Sequence, residues 1–264
     1  MNKEDLKNLA DNPNLISGIY NYCDRWCERC PFTSRCMVFA MEEQRPDGPA
    51  AHDLNSEAFW ETLSETLRVT LEMLQEMVEE QGIDIDSLDV DADMEEQQRL
   101  EEAARNHGCA RAAEDYAEMV GAWFDAAEDL FVEKEDELNL MVRLNVVGAD
   151  PHEQVARIQD AVEIIRWYQY QIEVKLLRAL HGALEERPAS LDEFPKDSDG
   201  SAKVALIAMD RSIAAWGELY RQLPSAEDEI LDLLVHLDRL RRKTEQEFPE
   251  ARAFVRPGFD EVEL

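Results

Sequence analysis

Four of the five cysteines in this 264-residue chain lie close together, as Cys23, Cys27, Cys30 and Cys36 in the stretch YCDRWCERCPFTSRCMVF. No other feature constrains the fold as strongly. If these thiols act jointly, the backbone must turn back on itself within a few residues. Residues 1–12 are polar, and no apolar run is long enough to span a bilayer. The chain therefore reads as cytoplasmic and without a membrane segment. In a reducing compartment, clustered cysteines are expected as ligands rather than disulfides.

The local pattern predicts how the thiols converge. Asn12-Pro13 resembles an N-cap followed by proline at N1, so a helix is expected from Pro13 to about Trp26. Cys23 and Cys27 would then share a helix face at i and i+4. Cys30 lies three residues on, Pro31 turns the chain, and a short helix over about 32–44 returns Cys36. The start of that helix, with Arg25, Arg29 and Arg35, is expected to favour thiolate.

Zinc sites usually pair two knuckles across a longer spacer. One run of four cysteines is more typical of a [4Fe–4S] cluster. Both remain open, as do redox-active or simply buried thiols. The segment Cys27-Glu28-Arg29-Cys30-Pro31-Phe32-Thr33-Ser34-Arg35-Cys36 resembles the iron–sulfur loop of endonuclease III-like and adenine DNA glycosylases. That likeness covers only the loop, and Cys23 departs from the family's C-x6-C step. It implies a ligand role for Cys27, Cys30 and Cys36, with Cys23 added by spacing, and no glycosylase activity. The first three cysteines also have radical-SAM spacing, and Trp26 to Cys30 resembles a thioredoxin motif. Neither is accompanied by alternating strands and helices. The whole segment is similar to that of an uncharacterised group of bacterial proteins with a YCDRWCERCPFTSRC-type start.

Charge narrows the partners. The 59 acids against 27 bases leave a net charge of −32. Residues 53–137 alone carry 27 acids and 5 bases, whereas residues 1–45 carry 7 and 6. Such a surface disfavours nucleic acid and anionic membranes. It suits a basic protein partner or a salty cytoplasm.

Beyond residue 50 the pattern is helical. Trp60, Leu63, Leu67, Leu71, Leu74, Met77 and Val78 form a 3.6-residue stripe over 55–81, ended by Gly82. Residues 83–93 read as an acidic loop. A helical stretch over 93–147, split near Asn106-His107-Gly108, has an expected core from Ala113 to Leu144. Asp150-Pro151-His152-Glu153 has capping-box spacing and opens a helix to about Glu186. Residues 187–200 read as a loop, followed by helices over about 201–222 and 225–248. Phe254, Val255 and Phe259 in the tail are expected to dock onto the bundle. The expectation is an all-α chain: a cysteine module over 1–50 and an acidic antiparallel helical bundle over 51–264.

The bundle has a second candidate site. Glu163, Tyr170, Glu173 and His181 recur at helical spacing, and Asp210-Arg211 interrupts the apolar run VALIAMDRSIAAW. A paired Glu–Arg network or a polar pocket would each account for them. Glu-x-x-His pairs, the signature of di-iron bundles, are missing. Three functions follow. The first is a [4Fe–4S] accessory protein for electron transfer or for redox or iron sensing, with a protein partner. The second is a zinc-stapled interaction module. The third is an enzyme with a polar or metal site among the bundle residues.

Overall fold

Helix boundaries follow their capping chemistry. The computed structural model describes residues 3–43, 55–82, 84, 90–148, 150–185 and 195–261. Among them every regular element is helical and none is a strand. The helices are α1 (Lys3–Ala10), α2 (Met37–Glu43), α3 (Glu57–Gln81), α4 (Val90–Asn106), α5 (Gly108–Ala126), α6 (Glu128–Leu144), α7 (Pro151–Leu184), α8 (Asp197–Gln222) and α9 (Glu227–Glu247). Of the acidic loop expected over 83–93, residues 83 and 85–89 lie outside the described residues and Val90–Asp93 open α4; of the loop expected over 187–200, residues 187–194 lie outside them and Asp197–Gly200 open α8. No described helix is long and apolar enough to cross a membrane.

The chain divides into two compact units, with the boundary inside α4. Residues 97–255 form one of them. Its longest helix, α7, begins as its sequence requires: the Asp150 carboxylate accepts the Glu153 backbone N–H at 3.0 Å, with Pro151 in the first turn. Helix α7 packs on α8, α8 on α9, α9 on α5, and α5 on α7, so four helices enclose one core, while α6 lies against α7 and α5. Helix α8 is buried on most of its circumference. Its Trp216 packs edge-on against Trp123 at 4.9 Å and donates its indole N–H to the Tyr116 hydroxyl at 3.0 Å. Gln169, the break in the α7 heptad pattern, is buried, and its amide donates to the Ala117 carbonyl of α5 at 2.7 Å. The polar exception is thus a cross-link between helices. His107 splits α4 from α5 as an N-cap, its Nδ1 accepting the Cys109 N–H at 3.2 Å. A second break at Ala127, which the periodicity does not signal, separates α5 from α6.

The other unit comprises residues 1–96 with a return from the C-terminus, 256–264. The polar N-terminal stretch forms α1, tied by an ion pair from Lys3 to Glu76 of α3. The helix expected over 13–26 does not form. Asn12 caps the Asn14 N–H as a local turn instead, and Gly18 takes a left-handed φ of 73°. Helix α3 ends as predicted: Gly82, at φ 64°, donates to the carbonyls of Val78 and Glu79. Its apolar stripe does not form a core. Trp60, Leu67 and Leu71 are 53%, 55% and 58% exposed, and Val69 is the buried residue of α3. A helical apolar period shows that a face exists; it does not supply the surface that covers it.

Candidate metal centre

The cysteines are held by three short 3₁₀ turns rather than by helix faces. These turns span Ile19–Tyr22, Cys27–Arg29 and Thr33–Arg35. Each is followed at once by a cysteine in extended conformation: Cys23 (φ −105°), Cys30 (φ −87°) and Cys36 (φ −109°). A tight turn followed by an extended residue swings that residue's side chain out of the turn. Used three times, it aims three thiols from a short span of chain. Cys27 opens the middle turn, and Cys30 closes it with its N–H on the Cys27 carbonyl at 3.1 Å. The expected i, i+4 helical pairing of Cys23 and Cys27 is replaced by a reversal. The Asp24 carboxylate accepts the Trp26 N–H at 3.2 Å, and Arg25 adopts φ 59°, a left-handed conformation uncommon outside glycine. Cys23 Sγ donates to the Tyr20 carbonyl at 3.5 Å, and the Phe32 N–H donates to Cys30 Sγ at 3.4 Å.

All four thiols line one small cavity, walled by Ile19, Trp26, Phe39 and Phe259. Ile19 and Trp26 are buried. Phe259 arrives from the far end of the sequence. Its ring meets Phe32 edge-on at 5.1 Å, and the Arg256 guanidinium lies 4.8 Å over it. Arg256 is fixed in turn by Asp260 at 2.9 Å. Gly258, at φ 74°, makes this approach possible, since a Cβ there would stand 2.8 Å from Ile16 and 3.0 Å from Ile19. Phe259 therefore belongs to the cysteine module and not to the bundle onto which the tail was expected to dock. Its only sequence signal is an aromatic residue in a polar terminus.

The size of the cavity bears on what could fill it. The centre of a water molecule could occupy about 20 Å³ among the thiols. That is room for about one water molecule. Four thiolates on a zinc ion stand about 2.3 Å from it, which leaves almost no free space between their sulfur atoms. Among the described residues, no three His, Cys, Asp or Glu side chains are grouped closely enough to hold one metal ion. A cluster that interposes its own iron and sulfide atoms spreads its thiolates further apart. The donor set, four sulfurs in an apolar enclosure, also suits such a cluster.

Electrostatics differ from the sequence expectation. Burial pushes the Cys27 thiol up, and the neighbouring thiols of Cys23, Cys30 and Cys36 add to the shift. Burial likewise raises Cys30, opposed by the Phe32 N–H. The arginines have other engagements: Arg29 lies 4.0 Å over the Trp26 ring, and Arg35 donates to the Asn14 carbonyl at 3.4 Å. Crowded thiolates in an apolar enclosure repel one another, and a bound cationic centre is what would relieve that repulsion.

The bundle candidates are placed separately. Glu163 is exposed beside a cleft, and Tyr170 is 62% exposed. Glu173 is half-buried, its carboxyl held up by burial and by Glu114 against the pull of Arg105. His181 Nδ1 lies 3.3 Å from Glu185. Asp210 pairs with Arg252 at 2.6 Å and Arg241 at 3.6 Å, and Arg252 also holds Glu245 at 2.8 Å. Arg211 donates to the Tyr168 hydroxyl. Arg241 and Arg242 of α9, with Arg252 just beyond it, thus answer acids of α8 and α9. His236 reaches the Ala112 carbonyl at 2.7 Å, which joins α9 to α5. Cys109 is fully buried, as expected of an isolated cysteine. Compared with protein-family models, with curated proteins and with solved structures, the chain matches none.

Proposed function

We propose that Cys23, Cys27, Cys30 and Cys36 bind a [4Fe–4S] cluster, and that the protein is an accessory factor for electron transfer or for redox or iron sensing. The observation that carries this reading is the lining of one small apolar cavity by all four thiols. When bound, the cluster would supply one-electron chemistry. The chain's own residues would set its environment: Trp26 and Phe259 exclude water, and the Phe32 N–H donates to a ligand sulfur. Both influence a cluster's potential. The likeness of residues 27–36 to an iron–sulfur loop supports the ligand roles, and the acidic helices would serve as a platform for a partner.

Anaerobic purification followed by absorption spectroscopy and iron, sulfide and zinc analysis tests the proposal. Brown protein with absorption near roughly 400 nm and about four irons per chain is expected. Cys23→Ala and Cys36→Ala should lose the colour while most helical circular dichroism persists. Colourless protein carrying one zinc would refute the cluster and restore the zinc-stapled module.

A further inference from the structure

The break at Ala127 turns the chain so that α6 leaves α5 at a corner, and a cleft of about 680 Å³ opens between α5, α6 and α7. This is the size of side-chain and ligand pockets generally. Phe131, Val132 and Val162 give it an apolar floor, and Asp125, Glu128 and Glu135 stand around it. These three carboxylates make no ion pair among the described residues. The one guanidinium in the cleft, Arg166, lies 4.1 Å over the Phe124 ring. Apolar surface beside unneutralised carboxylates fits a ligand of the opposite pattern.

We propose that this cleft docks a basic amphipathic helix of another protein, with apolar side chains in the floor and Lys or Arg against the acidic rim. Helix-in-groove recognition supplies the geometry, and complementary potential supplies orientation and rate. A second copy of this chain is disfavoured, because a net charge of −32 would meet itself. Nucleic acid is disfavoured for the same reason. The proposal is independent of the cysteine site, which lies in the other unit, so either can fail alone.

The probe is a synthetic peptide of roughly 18 residues, a length that sustains a helix once bound. It carries Leu and Phe on one face and Lys and Arg on the other, and its binding to the full chain is followed by fluorescence anisotropy. The double reversal Glu128→Lys/Glu135→Lys should weaken binding by about tenfold or more. Glu79→Lys/Glu80→Lys, in α3, changes net charge equally and should leave the dissociation constant within about twofold. Val132→Asp, at a position 54% exposed, is a second route to weakening that does not depend on the helix start at Glu128. A peptide of equal charge with serine on its apolar face should bind about tenfold more weakly. Absence of binding, equal loss from both reversals, or equal binding of the serine peptide would each overturn the proposal.

Discussion

Phe259→Ala should expose the cysteine cavity without unfolding the helical core. The ring makes an edge-to-face contact with Phe32 at 5.1 Å, which such pairs place at about 0.5–1.5 kcal/mol. It also receives the Arg256 guanidinium at 4.8 Å, a contribution of about 0.5–1 kcal/mol. Partial burial adds a fraction of the roughly 1.5–3 kcal/mol that a fully buried phenylalanine gains. Since these contributions overlap, the loss is about 2 kcal/mol, or roughly thirtyfold in the equilibrium that lifts the return segment from the cavity. Alkylation by iodoacetamide, resolved by peptide mass spectrometry, reads that opening at each cysteine. Cys27 and Cys30 should react about tenfold faster or more in the variant when labelling follows the opening equilibrium. Cys109, fully buried in the other unit, is an internal control whose rate should stay the same. Unchanged rates at Cys27 and Cys30 would show that Phe259 is not the cover. A parallel rise at Cys109 would show general destabilisation instead.

Two further outcomes test the helical core. Tyr116 is fully buried, its hydroxyl pushed up to about 12 by burial, and it accepts the Trp216 indole N–H. Tyr116→Phe leaves that donor unpaired and should cost about 1–3 kcal/mol in denaturant unfolding; no change would mean the indole finds another acceptor. The raised Glu173 carboxyl means that the folded state favours its protonated form, so the penalty is absent below the unfolded value, near 4.3, and grows as pH rises through the folded one. Glu173→Gln should therefore stabilise at neutral pH, by no more than about 0.5 kcal/mol for a half-exposed group, and the gain should vanish below about pH 4. Thermal unfolding across pH checks the sign, and a gain that persists in acid would refute the electrostatic cause.

Local chemistry made much of this chain legible without coordinates. The α7 start at Asp150-Pro151, the α3 stop at Gly82 and the break near His107 are each decided by residues next to them in sequence. The close spacing of Cys23, Cys27, Cys30 and Cys36 likewise lets the four line one cavity, because few residues separate them. The backbone between them was not readable. Asn12-Pro13 is compatible with either a helix cap or a turn, and the turn, with Arg25 left-handed, is the form found where the thiols surround one space. Periodicity showed that α3 has an apolar face, but burial depends on what lies opposite, and Trp60, Leu67 and Leu71 remain exposed. Gln169 looked like a flaw in a heptad until the Ala117 carbonyl appeared across the interface. Phe259 is the clearest case. It lies more than two hundred residues from Cys36, and closing so long a loop leaves no trace in local pattern. Sequence alone determined that four cysteines lie close along the chain and where α3 ends and α5 and α7 begin; tertiary packing decided which surfaces meet, because those contacts join residues that the chain keeps far apart.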